Sequence, residues 1–140
     1  MHKYTAEFRI WAEKEVLDFK AINEDLGITA TNTRQKGEAK SPTRVFAGSM
    51  WGYEAYLGKE WDTLEEALES LLEILMPLKE KIMKYSTKYD VVLWCGHFTS
   101  SFDGGPTFSP ELLKKLGEFG VELFIDTYCT TNEEQPTFLS

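Results

Sequence analysis

The sequence predicts a single α+β domain, with a sheet of about four strands and helices mainly on one face, and three observations carry that expectation. Residues 4–12 alternate apolar and polar side chains, residues 62–88 repeat leucine at helical steps, and two β-branched, aromatic runs at 89–98 and 121–129 flank a short helical signal. Periods of two and of three to four residues that take turns along one chain describe a sheet covered by helices.

The first strand sets Tyr4, Ala6, Phe8, Ile10 and Ala12 on one side against Thr5, Glu7, Arg9 and Trp11 on the other, so one of its faces is buried. Residues 15–26 place Val16, Phe19, Ile22 and Leu26 at helical intervals, and Gly27 supplies a left-handed stop. Residues 29–44 show little periodicity and read as a loop. With Arg34, Lys36, Lys40 and Arg44 against the single acid Glu38, it is the one basic stretch of the chain. A second strand over 45–57 alternates Val45, Ala47, Ser49, Trp51 and Tyr53 against Phe46, Gly48, Met50 and Gly52, its glycines marking a bulge or an edge.

From Asp62 onward Leu64, Leu68, Leu71, Leu75, Leu78 and Ile82 define a long helix, and Asp62 with Glu65 has the spacing of a capping box. Glutamates crowd its first half and lysines its second, matching the helix dipole. A stripe of this width is ordinarily core. Pro77 removes a backbone donor and clashes with the preceding turn, so the helix kinks or breaks near Met76. The runs 89–98 and 121–129 read as central strands. Between them Asp103-Gly104-Gly105-Pro106 turns the chain, Ser109 caps a short helix with Pro110 in its first turn, and that helix runs to Gly117 or Gly120. Residues 1–130 are expected to form the domain and residues 131–140 a flexible C-terminal tail.

Composition bounds the function. The chain has 140 residues, 15 basic against 23 acidic, for a net charge of -8. A chain of this length hides roughly 68–70% of its unfolded surface, so its core needs no metal or disulfide. Cys95 and Cys129 lack metal-ligand spacing and each lies in an apolar run; two buried reduced thiols is the first reading, with a disulfide or zinc site as the alternatives. No apolar run nears the ~20 residues of a membrane span, and the first residues carry no secretory apolar region, so a cytoplasmic protein without a membrane partner is expected. The acidic balance argues against nucleic acid, whose backbone attracts lysine and arginine. Gly104-Gly105-Pro106 lacks the spacing and lysine of a phosphate loop, and no cofactor is expected. His97 is a lone histidine; catalysis there needs a second group, for which Cys95, Ser100, Ser101 and Asp103 qualify only by proximity in sequence.

Alternation also sorts the strands' side chains into faces. Phe8, Ile10, Val91, Leu93, Leu123 and Ile125 are expected under the helices. Arg9, Trp11, Trp51, Tyr53, Trp94, Phe98, Phe124, Asp126 and Tyr128 are expected on the opposite face. So much aromatic surface on a face without helices is the candidate binding site, joined by Arg34 and Lys36 of the basic loop. Three readings remain: a loop such as 29–44 or 99–108 covers it as a second small core, a second copy of the chain packs there, or another molecule binds. Asp126, flanked by Phe124, Ile125 and Tyr128, is expected to meet Arg9, Arg34 or Lys36 as an ion pair, a structural lock rather than a catalytic acid. No catalytic residue is assigned.

The order and spacing of several short runs carry a resemblance. Leu26-Gly27-Ile28 followed by Arg34-Gln35-Lys36-Gly37, Trp51, the leucine helix after Asp62, Ser109-Pro110-Glu111-Leu112-Leu113 and Ile125-Asp126-Thr127-Tyr128 together resemble the bacterial domain-of-unknown-function family 4279, over residues 4–129. The resemblance implies a stand-alone bacterial α+β protein with no established activity. By analogy of size and charge such a protein is similar to immunity or antitoxin-like binders. The expected function is therefore a non-enzymatic interaction domain for a protein partner or for itself. The alternative is a small-molecule-binding domain or enzyme with a pocket between the basic loop, Trp51, Trp94 and Asp126.

Overall fold

Strand β1 (His2–Ala12) buries Tyr4, Ala6, Phe8, Ile10 and Ala12 on one face, as its alternation requires. The computed structural model describes residues 1–130; the expected tail, residues 131–140, lies outside the described residues. Helix α1 (Phe19–Leu26) follows, then β2 (Asn32–Arg34), β3 (Ala39–Ser41), β4 (Arg44–Val45) and β5 (Ser49–Tyr53). Helix α2 (Leu64–Leu75), a 3-10 turn (Met76–Leu78) and α3 (Lys79–Ser86) lead to β6 (Asp90–Thr99), α4 (Pro110–Phe119) and β7 (Glu122–Cys129).

The sheet has five strands in the order β2-β5-β1-β6-β7, not about four, and β3 with β4 makes a separate two-stranded sheet. All neighbours are antiparallel except β6 and β7, whose parallel pairing follows from the α4 crossover between them. The fifth strand, β2, and the β3–β4 pair come almost wholly from residues 29–44, expected above to be a loop. β2 is three residues long and joins the edge of β5, too short a segment to show a period.

Helix ends follow local chemistry. α1 begins at Phe19, later than expected, because Asp18 caps it by accepting from the Ala21 amide; Val16 is left exposed and Leu17 enters the core instead. Gly27 closes it at φ 74° as expected. The capping box of α2 sits one residue beyond the predicted one. Thr63 accepts from the Glu66 amide and donates to the Glu66 carboxylate, while Asp62 pairs with Lys3. The break falls at Met76–Leu78 around Pro77, and Ser109 caps α4, which ends at Gly120.

All four helices contribute to one core on the Phe8 face. Phe8 meets Trp51 of β5 and Phe119 of α4 edge-on, with ring centroids 6.2 and 6.4 Å apart, and α2 lays Leu64, Leu68, Leu71 and Leu75 over the same face. Among the described residues no helix is long and apolar enough to cross a membrane.

Candidate functional site on the open face of the sheet

No helix of the described residues covers the second face of the sheet, so the outward residues of β1, β5, β6 and β7 form a surface of their own. The pairing register places them. Trp94 lies beside Phe124, Gly96 beside Asp126 and Phe98 beside Tyr128, while Arg9 on β1 reaches across to Trp94. The Arg9 guanidinium carbon is 4.4 Å from the Trp94 ring centre, and its Nε donates to Glu7 Oε1. Trp94 and Phe124 are 4.4 Å apart between centroids, and Phe98 and Tyr128 stack at 5.2 Å with an angle of 11°. Phe98, Phe124 and Tyr128 are 37%, 43% and 48% exposed.

These side chains enclose a groove of about 470 Å³ lined by Arg9, Trp11, Arg34, Met50, Trp94 and Phe124, with Asp90 and Glu122 at its rim. A shallower hollow of about 260 Å³ continues it past Trp94 toward Glu7, Asn32, Glu54, Phe98 and Tyr128. Glu7 is buried there, accepting from Arg9 and from Asn32 at 3.3 Å, and the Cβ missing from Gly52 leaves the space its carboxylate occupies. Burial first, and the Glu7 charge second, push the Glu54 carboxyl above its ordinary range, with Arg9 opposing them.

Of the residues expected here, Arg9, Trp11, Arg34, Trp94, Phe124, Asp126 and Tyr128 do share the face. Four expectations are corrected. Trp51 is fully buried on the helical face: β5 pairs with β1 so that Trp51 stands opposite Ile10 and Met50 opposite Trp11, and residues directly opposite point the same way. Tyr53, stacked on Trp51, follows it. Lys36 lies off the groove, its amide held by Ser49 Oγ at 2.9 Å and its Nζ by the Lys14 carbonyl at 2.9 Å. Asp126 forms no ion pair among the described residues. It accepts from the Tyr128 hydroxyl on its own strand, which raises the Tyr128 phenol above its usual range, while Arg9 is already committed to Glu7. Of the pocket envisaged between the basic loop, Trp51, Trp94 and Asp126, the groove keeps Arg34 and Trp94; Met50 stands where Trp51 was expected, and Asp126 is not part of its lining.

Two other features lie outside this face. A cleft of about 600 Å³ lies between Tyr4, the start of α2 and residues 105–109, but its acids are already spent: Glu66 caps α2 and Glu65 accepts from the Ser109 amide. His97, nearly buried, sits in a directed chain. The Asp103 carbonyl can only accept from His2 Nε2 (2.8 Å); with both rings neutral, His2 Nδ1 then accepts from His97 Nε2 (2.8 Å) and His97 Nδ1 from the Thr127 hydroxyl (3.2 Å). Burial, then the neighbouring His2, lowers the His97 pKa. Because the folded value lies below the unfolded one, this stabilisation is full above the ordinary ~6.5 and is lost as pH falls through the lowered value. The unfolding free energy from urea titration is expected to drop between pH 7.5 and 5.5, at a slope below about 1.4 kcal/mol per pH unit, and His97→Gln should flatten that drop. An equally steep drop in the variant would show that the chain is not responsible. Among the described residues no three His, Cys, Asp or Glu side chains converge as metal ligands. Cys95 is buried, its thiol pushed up to about 12 by burial, and Cys129 is half-buried; both are free.

Sequence alone would not have found Met50, Glu54 or Asn32, since their places depend on the register of β5 and β2. Comparison with known proteins finds no match among curated proteins and none among solved structures. The profile of one family, described as Domain of unknown function (DUF4279), matches residues 2–130.

Proposed function

The chain belongs to the DUF4279 family, and we propose that it is an interaction domain that docks a protein partner on the open face of its sheet. The observation that supports this most directly is the row of exposed rings, Phe98, Phe124 and Tyr128, beside the Arg9–Trp94 stack. Tryptophan, tyrosine and arginine are the residues that dominate binding energy at protein interfaces. Their rings are braced by cross-strand neighbours, so little side-chain freedom remains to be lost on docking. An acidic chain of 140 residues with such a face has the build of an immunity or antitoxin-like binder, one that acts by covering its partner's working surface.

A photo-crosslinking residue at position 128, compared with one at Glu24 on the helical side, tests this in the cells that make the protein. One adduct of defined mass is expected from position 128 alone, and Phe124→Ala should weaken it with little change in melting temperature, because Phe124 is 43% exposed. Equal adducts from both positions, or none, would refute the docking face.

A second reading rests on the groove itself, whose volume of about 470 Å³ suits a small ligand and whose Arg34 has no carboxylate partner among the described residues. A compound that raises the melting temperature of the native chain and not of Trp94→Glu would support that alternative.

A further inference from the structure

Resting on the docking reading, we infer that the partner presents a cationic surface, one that lays arginine side chains over the rings of the open face beside carboxylates that have no cation of their own. Four acids border this face: Glu54, Asp90, Glu122 and Asp126. Among the described residues the ion pairs are Lys3–Asp62, Arg9–Glu7, Lys81–Asp25 and Lys115–Glu69, and none of the four acids takes part. Arg9 is spent on Glu7, which leaves Arg34 as the cation of the groove without a carboxylate.

The acids and rings are interleaved. Along the outward side of β7 the order is Glu122, Phe124, Asp126, Tyr128, acid and ring in turn, about 6.6 Å from each to the next on that side. A guanidinium over Phe124 would therefore have a carboxylate on either side, adding Coulomb attraction to the ring's own pull on a cation. The molecule already contains this contact once: Arg9 lies over Trp94 while Glu7 holds its Nε. Arginine fits better than lysine because its planar fork stacks and bonds a carboxylate at the same time. The net charge of -8 would steer such a partner in. A second copy of the chain would bring the same excess of carboxylates against this face, and like charges placed opposite one another oppose docking.

An (Arg-Gly)5 peptide is the probe, read through the indole N–H signals of the four tryptophans. The signals of Trp11 and Trp94 are expected to shift, those of Trp51 and Trp61 to stay, and the affinity to weaken with salt. Glu122→Gln with Asp126→Asn should weaken binding about fivefold, the effect of two exposed charge contacts, whereas Glu24→Gln with Glu118→Gln, equal in charge but on helices, should leave it within about twofold. Equal losses in both pairs, equal binding of a (Glu-Gly)5 peptide, or no binding would overturn the inference. So would a dimer at 100 µM, about the concentration of the signals, that Trp94→Glu splits. If the peptide fails while the cross-link at position 128 still forms, only the cationic partner is lost; if the cross-link fails as well, the docking face goes with it.

Discussion

Trp51→Ala is expected to cost about 3–5 kcal/mol of unfolding free energy, the range for emptying a buried aromatic site, and to lower the melting temperature by about 10–15 °C. Trp51 is 0% exposed, set edge-on against Phe8 and stacked on Tyr53, and its Nε1 donates to Asn23 Oδ1 at 2.8 Å, which ties β5 to α1. The cavity would open between the sheet and α1, where neighbouring rings are held by their strands and cannot close it. Asn23 keeps the Ala30 amide as a partner, so the loss is one of packing rather than of an orphaned polar group. Trp94→Ala, on the half-exposed face, should cost far less. Urea denaturation of both variants decides the matter: if Trp94→Ala proved the more damaging, the two faces of the sheet would have to be exchanged.

That comparison also marks where sequence patterns stop being informative. In β1 and β7 the two sides differ in charge, with Phe8 and Ile10 against Glu7 and Arg9, or Leu123 and Ile125 against Glu122 and Asp126, so parity could be read directly, whereas β6 is apolar on both sides and takes its parity from its pairing with β1. β5 has no such contrast. Ser49, Trp51 and Tyr53 on one side and Gly48, Met50 and Gly52 on the other carry no charge to mark the solvent side, and only its register against β1 turns Trp51 inward. The helix break needed nothing beyond Pro77. The α2 cap was ambiguous because Asp62 with Glu65 and Thr63 with Glu66 have the same spacing, and the choice depends on Lys3, a residue of another strand that engages Asp62. Asp126 was recognised as needing a partner, and it found one two residues away on its own strand. Of the three cations expected for it, Arg9 is taken by Glu7 two residues away on its own strand, Lys36 lies off the groove, and Arg34 forms no ion pair among the described residues.

Arg9→Met is the second large effect, an expected loss of about 3 kcal/mol, because it strands a carboxylate that the sheet has enclosed. The side chains of Arg9 and Glu7 are only 18% and 10% exposed, and without Arg9 the Glu7 carboxylate keeps just the Asn32 amide at 3.3 Å, with Glu54 adding repulsion from nearby. A Cβ at Gly52 would come within 2.8 Å of Glu7 Oε2, so the glycine leaves room for the carboxylate beside β5. Glu7→Gln with Arg9→Met should recover most of the loss, since the stranded charge goes with the pair. A double variant as unstable as Arg9→Met alone would mean that the guanidinium acts through its packing on Trp94 instead. If the double variant melts like the native chain yet no longer forms the adduct at position 128, the pair serves the docking face rather than the fold. A buried ion pair that adds little net stability has that kind of use open to it: it holds a guanidinium flat over a tryptophan, where a partner can meet both.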